Sequence, residues 1–506
     1  MKAGLIGKKY INIPSRQTGF ATLEILIAFT VLILCISAVV LIAFSNQFLA
    51  IDSEASIRGL SLAQAQLEKA RADSVQDFNS VNPSTATETN GTLVFTKKLN
   101  VTQPDIFTKE VASLVSWQIG GRVLSTTLTT LLVNKNIMDG GDTCSSILSD
   151  DWKDPQTEGI IDFSSLPGIS GTYNLSDVDA YQNKLYVTAG KTGSAGDPTF
   201  FIFDINDPSN PALLGKMDNA STVSTGPSAL AVSDDYAYLA NGYTGSASSC
   251  VENSNCAQLQ IINISDPTNP ILVKNIKLPE YTLSGNLAAG EDVFYRRGYV
   301  YLGLVKTAAG YEFNIIDVSD YTNPIIKGQY PIGNGINSIL IKNNFAYIAS
   351  PNPLELKILD ISDLDNLASA GSYNSPNGSG NGKSVYLVGD KLYLGKTTGA
   401  GFDFHILDNE NPATTLTQLG GRDIGTGNSI NGVIVRDYLS FLLTNKDLQI
   451  LHTADSTNIA PWSTFALPGT YDSTKPEPSM DCESNRIFIS SNNEGQGSIY
   501  IIKPGI

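Results

Sequence analysis

Residues 313–328 read FNIIDVSDYTNPIIKG, and this line recurs along the chain. FFIFDINDPSNPALLG starts at Phe200, LQIINISDPTNPILVK at Leu259 and LKILDISDLDNLASAG at Leu356. Weaker copies follow in FHILDNENPATTLTQLG, LQILHTADSTNIAPW and IYIIKPGI. Ahead of each lie two apolar runs around a short polar turn, as in AYQNKLYVTA, AVSDDYAYLA and LIKNNFAYIA. The aligned positions are Asp204, Asn263, Asp317, Asp360, Asp408, His452 and Lys503. Units of roughly 40–50 residues carrying four short strands are the mark of β-propeller blades. Seven units therefore predict a seven-bladed propeller over 160–506.

The seventh copy ends at Ile506 without an NPxxxG outer strand. SLPGISGTYN at 165–174 has that pattern, and we expect it to complete the last blade and remove the exposed edges. The recurring Asp or Asn reads as a turn device whose side chain bonds backbone amides, with Pro fixing the exit. The repeats resemble the LVIVD repeat family of surface propellers.

Working outward, 138–159 has no sustained period and reads as a linker. Its Asp150, Asp151 and Asp154 leave structural calcium open, without the spacing and Gly of a calcium loop. No other cofactor is expected. Over 75–137, TLVFTKKLNV and EVASLVSWQIGGRVLSTTLTTLLVN are β-branched and alternating, with Gly120 and Gly121 as a turn. They predict a small β domain with Trp117 in its core. Helical spacing of Phe48, Ile51, Leu60, Ala63 and Leu67 extends an amino-terminal helix over 20–74.

That helix begins in GFATLEILIAFTVLILCISAVVLIAF, residues 19–44, which supplies the 20 or so apolar residues a bilayer span needs. Lys2, Lys8, Lys9 and Arg16 precede it without an acid, so the bulk of the chain is expected outside. In a signal peptide the small cleavage residue follows the apolar run. Here Gly19 precedes it. This arrangement resembles the type IV pilins, including minor pilins and pseudopilins. The resemblance implies a leader over 1–19, cleavage after Gly19 by prepilin peptidase, methylation at Phe20, and Glu24 as fifth mature residue. It also implies a pilin-like α+β module ahead of the propeller. A carboxylate in a membrane helix is costly and kept for a partner; in a filament that partner is the amino terminus of a neighbouring pilin.

The chain carries a net charge of −16, which loss of the four basic leader residues takes to −20. Nucleic acid and anionic lipid surfaces are therefore poor partners. Outside the cell disulfides persist. With Cys35 in the apolar run, Cys144, Cys250, Cys256 and Cys482 allow three pairings. Cys250–Cys256 across one loop with Cys144–Cys482 across the domain ends is favoured. Only His405 and His452 are available to a zinc site, and neither is near a Cys in sequence.

No catalytic motif is complete. GKT at Gly190 and Gly395 and GKS at Gly382 lack the Gly five positions earlier, and neither GxSxG nor HExxH occurs. No catalytic residue is assigned, and no enzyme is expected. Length variation falls on one propeller face, at Gly242–Cys256, Met217–Pro227, Leu278–Ala289 and Pro468–Glu477, with Tyr243, Tyr281 and Tyr471 as partner-face candidates. The expected role is a minor pilin-like subunit, inserted in the inner membrane before assembly and then displayed on a pilus. Its propeller would bind an extracellular protein or glycan. The alternatives are a pseudopilin recognising cargo and a membrane-tethered surface hydrolase.

Overall fold

The computed structural model describes residues 19–76, 80–102, 108–133, 143–144, 151–169, 171–191, 198–218, 226–242, 257–279, 288–308, 310–351, 353–376, 379–425 and 427–505. It is mainly β, with one long helix at the amino-terminal end. The chain divides into two units, Met1–Lys135 and Asn136–Ile506.

In the first unit, α1 (Gly19–Gln76) runs 58 residues without a proline, about 87 Å at 1.5 Å per residue. Leu23–Ile42 is fully exposed and apolar, and is long enough for a single membrane span. The far end of the helix changes partner. There Ala55, Leu62, Ala63, Leu67 and Ala70 are buried against Phe95, Val111, Val115, Trp117 and Leu132.

Those residues belong to an antiparallel meander of β1 (Ser84–Asn90), β2 (Leu93–Thr102), β3 (Thr108–Ile119) and β4 (Arg122–Val133), hydrogen-bonded in that order. Gly120 and Gly121, at φ 56° and 83°, form the two-residue turn between β3 and β4, as such a turn requires. Trp117 stacks so closely on the helix that a Cβ at Gly59 would lie 2.5 Å from its ring. Glycine in a helix interior costs about 1 kcal/mol, and here it makes room for that ring.

Among the described residues the second unit holds seven sheets, over 173–217, 227–276, 290–330, 338–373, 382–422, 430–466 and 480–505, antiparallel except where β5 (Thr143–Cys144) runs parallel to Met480–Ser484 in the seventh. Seven buried apolar clusters join consecutive sheets, and one of them, with Phe203, Leu175, Phe488 and Ile501, joins the seventh sheet to the first. The result is a closed ring, a β-propeller.

Each sheet opens with a hairpin whose first turn residue has positive φ: Gln182, Asp234, Arg297, Asn343, Gly389, Asp437 and Ser484. The recurring acids fold the next turn. Asp204, Asn263, Asp317, Asp360 and Asp408 each accept the amide two residues on, at 2.9–3.0 Å. A second acid repeats the device where Asp266 accepts Thr268 N and Asp320 accepts Thr322 N, both at 3.0 Å.

Closure differs from the sequence expectation. The outer strand of the seventh sheet is β6 (Asp151–Asp162), most of it in the stretch 138–159 expected to be a linker, and it pairs with the terminal strand Ser498–Gly505. Residues 165–169 and 171–172 are turn and loop, and from Tyr173 the chain is already the innermost strand of the first sheet. The sequence of β6 carries no strand signal because an outer strand is wetted on much of its length. Only Trp152, Gly159 and Ile161 of its twelve residues are buried, so the apolar alternation is missing.

Candidate functional site

The innermost strands surround a polar well of 560 Å³. Successive sheets contribute Ser176 and Asp177, Ser228, Glu291 and Asp292, Asn337 and Ser338, Lys383 and Ser384, and Asn431. Thr474, Pro476 and Glu477, from the loop into the seventh sheet, complete the rim. Each lies within the first five residues of an innermost strand or in the link leading into it, so the well opens on the face of the sheet-to-sheet links.

Several of these side chains stitch the ring. Asp177 accepts Leu230 N at 2.8 Å from the next sheet and a bond from Ser479 Oγ of the seventh. Asp292 accepts Ile339 N at 2.5 Å, and Ser384 Oγ accepts Val433 N at 3.0 Å. A side chain reaching the neighbouring strand's amide satisfies a donor that the sheet leaves open.

The cost appears in the proton affinities. Burial pushes Asp177 up to about 6, against the bonds from Ser479, Leu230 and Val178. Burial, then the charge of Asp177, pushes Asp292 up to about 8. Burial raises Glu291 as well, opposed by Lys383. Lys383 pairs with Glu477 at 2.7 Å. The well is therefore lined by carboxyls that hold their protons more tightly than usual, with one lysine on its rim, and it presents mainly hydrogen-bonding groups.

A second polar cluster is buried between the fourth and fifth sheets. Lys396 Nζ lies 2.9 Å from Glu355 Oε1 and 2.5 Å from Ser375 Oγ. Serine beside lysine suggests a nucleophile, but Ser375 Oγ donates to Glu355 Oε1 at 2.6 Å and Ser375 N donates to Oε2 at 2.9 Å. Burial would raise Glu355, and the bonds from Ser375 and Lys396 outweigh it and hold it low.

The same clamp recurs without a lysine. Glu312 accepts Ile332 N at 2.9 Å, and Gln258 accepts Leu278 N at 2.8 Å. In the second, third and fourth sheets a polar residue ahead of the third strand thus holds the exit of the fourth, which is a structural task. Beside this cluster a 320 Å³ pocket is lined by Pro376, Phe402, His405 and Gln418. Burial, then the charge of Lys396, lowers His405 to about 4.

Of the residues singled out in the sequence, Cys144 and Cys482 are bonded, with Cα atoms 5.2 Å apart. Cys35 is a free, exposed thiol. Cys250, Cys256, Tyr243 and Tyr281 lie outside the described residues. Tyr471 is half-buried in the loop that supplies Glu477 to the well, and burial, then Glu477, raises its hydroxyl.

The backbone of Gly19 and Phe20 is helical, the side chain of Phe20 lies outside the described residues, and Glu24 is exposed. Asp150 is outside the described residues, while Asp151 and Asp154 turn to Lys153 N and Gln156 Nε2. Among the described residues no group of three His, Cys, Asp or Glu is placed to hold a metal.

The profile described as the LVIVD repeat matches residues 176–219, 254–277, 296–331 and 336–375. No curated protein matches. Among solved structures, a Lactobacillus plantarum protein is similar at 10% identity and TM-score 0.46, over 59% of this chain and 89% of that one. The AfRom2 CNH domain gives 9% and 0.39, over 69% and 99%. The Neurospora crassa Pan2 WD40 domain gives 9% and 0.43, over 71% and 98%.

Proposed function

We propose that this chain is a minor type IV pilin-like subunit that carries a seven-bladed propeller to the cell surface and binds a partner there. The observation that supports the reading is the division of labour along α1. Leu23–Ile42 is an exposed apolar span, and further along Ala55, Leu62, Ala63, Leu67 and Ala70 are buried against a four-stranded sheet. A plain stalk needs no packed sheet, whereas a subunit that leaves the bilayer for a polymer needs a greasy rod and a rigid head. Gly19 ahead of the span and Glu24 within it fit processing and docking onto a neighbour's amino terminus.

Partner binding is assigned to the face on which the well opens, and the role is binding without turnover. A large domain on each subunit favours a sparse or tip position. Amino-terminal sequencing of the mature protein is expected to start at Phe20, and immunogold labelling to mark filaments. Glu24→Ala is expected to enter the membrane but not the filament. A mature chain beginning at Met1, or labelling confined to the membrane, overturns the reading.

A further inference from the structure

The edge of the first unit's sheet is built unlike a protected edge. Proteins guard edge strands with charge, proline, bulges or shortness. β1, on one edge, is seven residues long, and its Glu88 pairs with Arg58 and Lys97. β4, on the other, pairs with β3 over twelve unbroken positions and has no charge or proline from Val123 to Val133. Val123 and Leu131 are 73% and 64% exposed, and among the described residues no strand pairs with its outer side.

The sequence of β4 also reads nearly the same in both directions about Leu128. An antiparallel pairing with a second β4 centred there sets Thr127 opposite Thr129, Thr126 opposite Thr130, Leu124 opposite Leu132 and Val123 opposite Val133. Ser125 opposite Leu131 is the one unlike pair. Like Thr and apolar pairs across strands are favourable, and no like charges meet. The spacing also keeps each side chain on its own face, because the paired positions share parity.

We infer that β4 is a self-pairing edge that joins two copies of this chain into one eight-stranded sheet. The two-fold axis of such a pair stands normal to the sheet, so any direction lying along the sheet reverses. Each α1 packs across that face, so the two helices run in opposite senses. The pair therefore links copies held on two facing surfaces or filaments, and not neighbours in one membrane. This goes beyond the pilin reading and does not require cleavage at Gly19.

The test uses full-length chains in detergent. Thr127→Cys and Thr129→Cys chains are prepared separately, each with no new thiol opposite its own. Mixed under mild oxidation, they are expected to give a disulfide-linked dimer on a non-reducing gel, with each chain alone at the background of the unsubstituted protein. A Ser125→Cys chain mixed with Thr129→Cys is out of register and is expected to stay at background. Thr127→Lys/Thr129→Lys, whose fold is checked by circular dichroism, is expected to weaken dimerisation measured by sedimentation about tenfold or more by setting lysines opposite each other. A mixed pair at background, equal cross-linking out of register, or unchanged sedimentation of the lysine variant overturns the proposal. So does cross-linking of Thr127→Cys to Thr87→Cys of β1, which would mean a head-to-tail array.

Discussion

Asp292 shows how one side chain can both hold the ring and strain it. It accepts the amide of Ile339 while burial and Asp177 push it up to about 8. An unfolded aspartate titrates near about 3.9, so between that value and about 8 the folded chain binds the extra proton. Stability then falls as pH rises through this window, because the native state is the more protonated one. Asp177, pushed up to about 6, adds to the fall over the lower part. We expect the second unit's thermal midpoint to drop from pH 4 towards pH 8, and Asp292→Asn to flatten the curve, most visibly above pH 6. A variant with the same slope as the parent would remove Asp292 from this role. The signal was present in the sequence, since the LSDVDAY and GEDVFYR runs place acids inside apolar strands. What the line of residues does not carry is that strands from separate copies turn these acids towards one axis.

At the scale of the element, the repeated outer strand explains its own glycine. A Cβ at Gly215, Gly328, Gly371 or Gly420 would run into a backbone carbonyl in the next sheet's turn: Pro267, Leu364, Thr414 and Ser456 respectively. Gly159 of β6 meets the carbonyl of Pro208 in the same way. DPQTEG at 154–159 is thus the missing NPxxxG copy, and the rival LPGISG at 166–171 only shares its spacing. Pattern alone could not separate them, because the three variable positions lie on a wetted strand and carry no apolar constraint. The hairpins and Asx turns were legible for the opposite reason, since their geometry demands particular residues at fixed offsets. Gly159→Val is expected to destabilise the second unit by about 1–3 kcal/mol through overpacking, and Gly215→Val by a similar amount. Chemical denaturation checks this as a lower midpoint at unchanged slope; if Gly159→Val alone is silent, β6 is not held like the other outer strands.

For the molecule as a whole, stability of the ring depends on a join between distant parts of the chain. β5 (Thr143–Cys144) and β6 precede the first sheet yet complete the seventh, and the Cys144–Cys482 bond spans 338 residues of sequence. Trp152 is buried edge-on to Phe441, at 4.8 Å between ring centres, in the cluster that contains Cys482. Constraining so long a loop in the unfolded chain gives an upper figure of about 5–6 kcal/mol, and native bonds of this kind measure about 2–5. Full-length Cys144→Ser/Cys482→Ser should lose about 2–5 kcal/mol, and reductant should lower the parent to the same level without affecting the variant. Trp152→Ala should lose about 3–5 kcal/mol. Both changes loosen the same closure, so their combined loss should fall short of the sum. With β6 released, the Ser498–Gly505 strand becomes an open edge, and the combined variant should aggregate at concentrations where the parent stays dispersed. Additive losses without aggregation would mean that the ring holds without its join, and that the bond merely tethers a passive amino-terminal arm.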